Sequence, residues 1–328
     1  MFDKSIIGHS EIRSRLFSRL VSNKIAGSML FTGPDGIGKR RVALEMAQRE
    51  ICFRKTACGE CEGCKLYKVD PLPKEFPNLL RIAPEGKAGL IKVDAIRDSD
   101  LVEGGIIRWA HQAAPPGCHR WIVIEDAHRL GKASANILLK TLEEPPTDTY
   151  FILLTHRPAS VLPTIQSRSE RIAFGTLGYD EIVKIALRHG WAESELEGWA
   201  AVSSGTLKYL ERDNYLRACS QIEAWVSIIE GVPFAEVSES LLPKTGEVAQ
   251  SQQVAHAFEQ LLKVLNDLAR ISEGKSGQLT QWTQRLGSAA NERIDIRYGY
   301  HYALEAMKAL NRNIAPETVL RNTALALT

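Results

Sequence analysis

The stretch from Gly33 to Arg40, Gly-Pro-Asp-Gly-Ile-Gly-Lys-Arg, constrains the fold of this chain more than any other. It follows an apolar run, Ser28 to Thr32, and precedes a helix-forming run, Arg40 to Ile51. A strand that leads through a glycine loop into a helix directs backbone N–H groups at an anion, and the helix dipole favours negative charge there. The spacing matches the phosphate-binding pattern G-x-x-x-x-G-K, in which the lysine contacts the β- and γ-phosphates. The predicted nucleotide-binding residues of this loop are Gly33, Gly36, Gly38, Lys39 and Arg40.

The last position of the pattern is altered. The usual loop continues with Ser or Thr, whose hydroxyl binds Mg²⁺. Arg40 has no hydroxyl and places a second positive charge where a cation belongs. We therefore predict that the loop can hold ATP or ADP without turnover and that this chain alone does not hydrolyse ATP. The alternative is a glycine turn with no ligand.

Four cysteines lie within thirteen residues, at Cys52, Cys58, Cys61 and Cys64. Four thiolates can close a tetrahedral Zn²⁺ site, with each sulfur about 2.3 Å from the metal. A ferredoxin-type iron–sulfur cluster would need a further cysteine four residues after Cys64, where Lys68 stands. We predict a structural zinc site, because four protein ligands leave no open position for catalysis. Unrelated thiols are the alternative.

The run from Trp121 to Ile124 is apolar and ends in two acids, Glu125 and Asp126. This pattern predicts a buried parallel strand with carboxylates at the sheet edge where ligands bind. In phosphoryl-transfer sites one such carboxylate holds Mg²⁺ and the next orients the attacking water. The usual order is Asp then Glu, and a misplacement of about 1 Å can cost on the order of 100-fold in rate. We therefore predict a degenerate acidic site, with solvated acids at a strand end as the alternative.

Strands alternate with helices as far as Phe174, which implies a parallel sheet covered on both faces. After Phe174 the pattern is helical almost to the end. The predicted division is an α/β domain over residues 1–174 with the zinc insert at 52–64, a small helical domain over 175–210, and an all-helical domain over 211–328.

Composition bounds the function. The chain has 328 residues, 44% of them hydrophobic and 24% charged, with a net charge of +2. Contact with nucleic acid would therefore depend on a local basic patch. No stretch approaches the roughly 20 apolar residues of a membrane helix, and the N-terminus shows no signal-peptide core. We expect a cytoplasmic protein with no membrane partner, in which Cys118 and Cys219 are ordinary thiols.

Two further runs complete a recognisable order of motifs. Residues Asn136 to Pro146 read Asn-Ile-Leu-Leu-Lys-Thr-Leu-Glu-Glu-Pro-Pro, and Ser167-Arg168-Ser169 follows. With the glycine loop, the cysteine insert and the acidic strand, this order resembles the bacterial clamp-loader subunits of the AAA+ class. The resemblance covers the whole chain, strongly to Phe174 and by architecture beyond it. It implies an α/β AAA+ domain with a P-loop and a parallel sheet, then a helical lid and an all-α collar.

The resemblance also implies partners. Members of this family assemble with gamma/tau and delta subunits in a hetero-pentameric ring that loads a sliding clamp onto primer–template DNA for DNA polymerase III. Some are ATP-hydrolysing motors, and one type is a stator with a degraded loop. Arg40 and the order Glu125-Asp126 favour the stator. The alternatives are the motor type and a zinc-containing nucleic-acid adaptor outside replication.

Several side chains acquire roles through the resemblance. Arg168 matches an arginine finger that acts on ATP bound to the neighbouring subunit, although Ser169 replaces the family's usual cysteine. Thr155 lies near the sensor-1 position, and Lys208 falls where the sensor-2 arginine of the family lies; both would contact nucleotide.

Two basic residues, Arg97 and Lys140, match positions that face DNA in related subunits. Their contacts with the phosphate backbone would be independent of sequence and sensitive to salt.

Overall fold

A computed structural model describes residues 6–68, 74–85, 89–91, 93, 96, 105–242, 250–290, 295–310 and 314–327. The chain divides into two compact units, one of residues 1–184 with 205–207 and one of residues 185–204 with 208–328. The three-part division made from the sequence stays a prediction.

The first unit is built on a six-stranded sheet in the order β2-β3-β4-β5-β1-β6. Its strands are β1 Ser28–Thr32, β2 Glu75–Phe76, β3 Leu79–Ile82, β4 Arg120–Ile124, β5 Thr149–Thr155 and β6 Glu170–Ala173. Five strands run parallel, whereas the two-residue edge strand β2 pairs antiparallel with β3. β1 lies between β5 and β6 and is buried along its whole length, which explains why its three central residues, Met29, Leu30 and Phe31, are apolar.

Helices cover both faces of this sheet. The helices of the first unit are α1 Ser10–Val21, α2 Lys39–Ile51, α3 Glu62–Lys65, α4 Gly105–His111, α5 Lys132–Glu143, α6 Pro163–Gln166 and the start of α7 Tyr179–Arg188. Successive side chains of a strand point to opposite faces. Ile122 and Ile124 of β4 therefore join one buried core, whereas Trp121 and Val123 join the other. Each such side chain contributes about 1.5–3 kcal/mol by leaving water.

A buried ion pair fixes α2, the helix that follows the glycine loop. Arg13 of α1 donates two hydrogen bonds of 2.7 Å to the carboxylate of Glu45. Both side chains are almost fully buried. Removing one partner of such a pair costs about 3–5 kcal/mol, because the other charge is left buried and unpaired.

The beginning of the glycine loop is equally constrained. Gly33 has φ 142°, and a Cβ there would lie 2.3 Å from the carbonyl oxygen of Phe174. The N–H of Phe174 donates to the carbonyl of Thr32 at 2.8 Å, which continues the pairing of β1 with β6. Only glycine fits between these two backbones.

The secondary-structure elements of the second unit are all helices in the part that the structure describes. It holds the end of α7 and the helices α8 Leu196–Ser203, α9 Arg212–Ile229, α10 Phe234–Leu241, α11 Gln250–Ser272, α12 Thr283–Ala290, α13 Ile296–Leu310 and α14 Pro316–Leu327. Its core surrounds α11, whose Leu261 and Leu265 are fully buried. Trp225 of α9 donates its indole N–H to the carbonyl of Ala257 at 2.8 Å.

The predicted fold class, an α/β AAA+ domain followed by a helical region, is confirmed. Among the described residues, no helix combines the length and apolar character that crossing a membrane requires.

Candidate functional site

The glycine loop and the carboxyl ends of β4 and β5 enclose a cavity of about 330 Å³. The residues that line it are Asp35, Gly36, Ile37, Gly38, Lys39, Arg40, Arg41, Glu125, Asp126, Leu154, Thr155 and His156. The structure thus brings together loop residues, both acids and Thr155. Gly33 lies at the start of the loop and does not line the cavity.

Lys39 is folded onto its own loop. Its ammonium group donates to the carbonyl oxygens of Gly33 at 2.8 Å and Pro34 at 2.5 Å, and the residue is only 8% exposed. Gly36 and Gly38, with φ 71° and 95°, supply the left-handed turns that return the backbone toward α2. An incoming phosphate would compete with these carbonyls for the ammonium group.

Glu125 is held by two guanidinium groups. Arg81 donates to one of its carboxylate oxygens from Nη2 at 2.7 Å and from Nε at 3.1 Å. Nη1 of Arg40 lies 3.4 Å from the other oxygen. The Arg81–Glu125 pair is mostly buried, so it is stronger than an exposed pair, whereas the side chain of Arg40 is more than half exposed. Glu125 would have to leave them in order to bind Mg²⁺.

Asp126 faces a histidine that the sequence analysis did not single out. Asp126 has φ 48°, and its Oδ1 lies 3.4 Å from Nδ1 of His156. A hydrogen bond with His156 outweighs burial and lowers the pKa of Asp126 below its usual value. His156 directly follows Thr155 at the end of β5. Its position at a strand end is the signal that could have identified it.

A second histidine, His128, packs edge-on against His156 with ring centroids 4.5 Å apart. Nδ1 of His128 is 3.1 Å from Oγ1 of Thr155, which also accepts the N–H of Arg157 at 3.0 Å. Its Nε2 is buried and has no hydrogen-bond partner among the described residues. Burial, followed by the proximity of His156, lowers the pKa of His128 to about 4, so this ring is neutral at pH 7.

Arg168 lies outside this cavity, just after α6. Its Nε donates to Oε2 of Glu143 at 2.8 Å, and its Nη1 donates to the carbonyl of Thr164 at 3.3 Å. The side chain is 32% exposed. Glu143 is the last residue of α5, so two of the motifs that carried the family resemblance, Asn136 to Pro146 and Ser167 to Ser169, meet at this ion pair.

The remaining predicted site residues are separate. Lys140 is exposed on α5, and Arg97 lies outside the described residues. Lys208 belongs to the second unit, where its ammonium is 3.1 Å from Oε2 of Glu259.

The four cysteines form one cluster. Sγ of Cys58 lies 4.0 Å from that of Cys64, Sγ of Cys61 lies 3.9 Å from that of Cys52, and all four lie within 4.8 Å of one another. Tetrahedral ligands at a Zn–S distance of about 2.3 Å would be about 3.8 Å apart, so the donor set and its spacing fit a zinc ion. Burial opposes ionisation of Cys52, but nearby backbone N–H groups outweigh it and lower its pKa to about 6.

The parallel sheet, its glycine loop and the acidic end of β4 define a P-loop protein of the AAA+ class. The sequence model of the family described as "DNA polymerase III, delta subunit" matches residues 8–178, more than half of the chain. The chain belongs to this family, and the predicted resemblance to clamp-loader subunits is confirmed.

Individual relatives include both types of subunit weighed from the sequence. DNA polymerase III subunit delta' of Pseudomonas aeruginosa is 34% identical over 213 residues, which are 63% of this chain and 60% of that protein. DNA polymerase III subunit tau of Bacillus subtilis is 30% identical over 184 residues, 55% of this chain and 30% of that protein. The matched part therefore spans less than two thirds of either relative.

Among solved structures, a DNA polymerase III gamma-subunit-related protein of Thermotoga maritima has a TM-score of 0.47 and 17% identity. That alignment covers 96% of this chain and 98% of the other.

Proposed function

We propose that this chain is the stator, or delta-prime, subunit of a DNA polymerase III clamp loader. It supports ATP-dependent loading of a sliding clamp onto primer–template DNA while neighbouring subunits hydrolyse the ATP. Its partners are gamma/tau and delta subunits in a hetero-pentameric ring. The observation that carries this proposal is the contact of Arg40 with Glu125 inside the loop cavity.

That contact argues against hydrolysis by the chain itself. Arg40 brings positive charge toward the carboxylate that would otherwise attract Mg²⁺, and Arg81 holds the same carboxylate from the other side. Catalysis of phosphoryl transfer depends on the metal to neutralise developing charge. The loop retains its N–H groups and Lys39, so it can hold ATP or ADP without turnover. Thr155 lines the cavity and would contact that nucleotide.

Arg168 is the residue that acts on a neighbour. An arginine finger supplied in trans stabilises charge on the transferring phosphoryl group and is worth about 10³–10⁵ in rate. Its planar fork suits phosphate oxygens better than the ammonium of lysine. Two features of Arg168 support this role. The hydrogen bond from its Nε to Glu143 fixes the guanidinium, and the partial exposure of the side chain leaves part of that group accessible.

The remaining assignments are supporting ones. The four cysteines hold Zn²⁺ as a structural ion, whose binding contributes folding free energy directly. Lys140, together with Arg97, would contact the DNA backbone, and such contacts weaken as salt rises. Lys208 would contact the nucleotide, as the sequence predicts.

The first test is ATP turnover by the purified chain with Mg²⁺ and primed DNA. We expect none. The similarity to tau favours the motor type as the second candidate. Turnover that disappears in Lys39→Ala would establish that candidate and reject the stator. Tight duplex binding by the chain without partner subunits would instead favour a nucleic-acid adaptor.

The second test compares Arg168→Ala with Arg171→Ala in the assembled ring. Arg171 is an exposed arginine three positions along the chain and serves as the matched control. We expect Arg168→Ala to leave assembly intact and to lower turnover by at least about tenfold at the neighbouring site. Turnover equal to that of the control would remove Arg168 from the mechanism.

A further inference from the structure

We propose that Asp126, His128 and His156 form a second metal site, which takes a divalent transition cation at the rim of the loop cavity. This site is distinct from the four cysteines and goes beyond the proposed function, which does not require it. One carboxylate oxygen and one ring nitrogen of each histidine all lie within 4.8 Å of one another.

The spacing of the donors suits an ion. Oδ1 of Asp126 and Nδ1 of His156 are 3.4 Å apart, so the hydrogen bond between them is a long one. Two tetrahedral ligands at about 2.1 Å from a metal would be about 3.4 Å apart. The pair therefore has the separation of neighbouring metal ligands.

The Nε2 atom of His128 is buried and has no hydrogen-bond partner among the described residues. A buried polar atom without a partner requires an explanation. If the proton of the ring is on Nδ1 and is donated to Oγ1 of Thr155, the lone pair of Nε2 is left to bind a cation. Thr155 would then orient the ligand, as hydrogen-bonded groups behind metal-bound histidines commonly do.

The backbone holds these groups in place. Asp126 and the turn Ala127–Arg129 follow β4, whereas His156 follows β5. β4 and β5 are adjacent parallel strands paired in continuous register. A bound ion would link two strand ends that the sheet already positions, so little chain entropy would be lost on binding.

Ligand type defines the class of cation. Mg²⁺ prefers carboxylates, phosphates and water, whereas imidazole suits Zn²⁺, Ni²⁺, Cu²⁺ and Fe²⁺. Two imidazoles and one carboxylate therefore select a transition metal over the Mg²⁺ that normally accompanies a nucleotide. The charges of Arg129 and Arg157 act on this cluster and oppose a cation. We accordingly expect weaker binding than at the four cysteines.

The test is a calorimetric titration of full-length, zinc-replete protein with Ni²⁺ in the presence of excess Mg²⁺. We expect one Ni²⁺ per chain beyond the zinc. His156→Asn and Asp126→Asn should each weaken it by at least about tenfold. His301→Asn removes an exposed histidine of the second unit and should leave binding unchanged. His128→Asn tests the third proposed ligand in the same way. Thermal melting checks that each variant is folded.

Three outcomes would overturn the site: no additional Ni²⁺ in the wild type, unchanged binding in folded His156→Asn and Asp126→Asn, or equal loss in His301→Asn. None of these bears on the stator assignment, which depends on Arg40 and Arg168 and is tested by ATP turnover.

Discussion

Arg40 and Glu125 contact each other. They are the residues at which this chain departs from the usual P-loop pattern, Arg40 in the glycine loop and Glu125 at the end of the acidic strand. Nη1 of Arg40 lies 3.4 Å from Oε2 of Glu125. One departure removes a metal-binding hydroxyl and adds a cation, and the other places a longer carboxylate within reach of that cation. The positive charge of Arg40 and the negative charge of Glu125 therefore complement each other, and the effect of either residue on Mg²⁺ binding depends on the other.

This pairing predicts nucleotide binding that is independent of Mg²⁺. In Arg40→Thr, Mg²⁺ should strengthen ADP binding by about ten- to a hundredfold, because a hydroxyl replaces a competing charge; charged hydrogen bonds are worth about 1.5–3 kcal/mol. Titration of a fluorescent ADP analogue with and without EDTA measures the effect. Arg108→Thr removes an exposed charge of the same unit that does not line the cavity and should behave as the wild type. A strong Mg²⁺ requirement in the wild type would contradict the prediction.

The ion pair of Arg168 with Glu143 predicts a positioning role for the carboxylate. Glu143→Gln should lower turnover in the assembled ring by less than Arg168→Ala does. The double variant should be no worse than Arg168→Ala alone, since residues that act as one unit are not additive. Glu144→Gln, at the neighbouring exposed acid, is the control. Additive losses in the double variant would show that Glu143 acts independently of Arg168.

The cysteine cluster predicts that zinc stabilises the first unit. Chelation, or Cys61→Ser, should remove about one zinc per chain and lower the melting temperature, because the free energy of metal binding contributes directly to folding. Elemental analysis and calorimetric melting measure the two effects. Cys118→Ser removes a thiol outside the cluster and should retain the zinc. A chelated protein with an unchanged melting temperature would exclude a stabilising ion.

His119 predicts a pH dependence of stability. It contacts the largely buried carboxylate of Glu50, which also accepts the indole N–H of Trp121 at 2.6 Å. The hydrogen bond to Glu50 raises the pKa of His119 above 6.5, against the effect of burial. The stabilisation is thus complete below about pH 6.5 and is lost as pH rises through the folded-state pKa.

Unfolding by denaturant at a series of pH values tests this expectation. Between pH 6 and 9, the wild type should lose more stability than His119→Gln, by no more than a charged hydrogen bond, about 1.5–3 kcal/mol. His111→Gln, at an exposed histidine of the same unit, should follow the wild type. Parallel curves for the wild type and His119→Gln would reject the role of His119.

Local elements were predictable because each is specified by neighbouring residues. The apolar run over Ser28–Thr32 is β1, and the predicted helix that ends at Ile51 begins one residue earlier than expected, at Lys39. The two-residue strand β2 has no periodicity to read, and its antiparallel pairing was not predicted.

Contacts between distant positions were not predictable in the same way. Arg40 and Glu125 are 85 positions apart, and a single sequence does not indicate that their side chains meet. The contact between His128 and His156 was missed for the same reason, since the two rings come together only because β4 and β5 are neighbours in the sheet. The cysteines, by contrast, are close in sequence, and their clustering followed from spacing alone.

The register of β6 against β1 separates Arg168 from the glycine loop of its own chain. Met29 to Thr32 pair with Glu170 to Ala173, so the glycine loop follows one end of the strand pair and Arg168 precedes the other. Four residues of strand span about 13 Å, which exceeds the reach of one arginine side chain. Arg168 cannot meet a phosphate held in its own loop. ATP turnover by the isolated chain would therefore show no catalytic contribution of Arg168. That contribution can be measured only when a second polypeptide supplies the bound ATP.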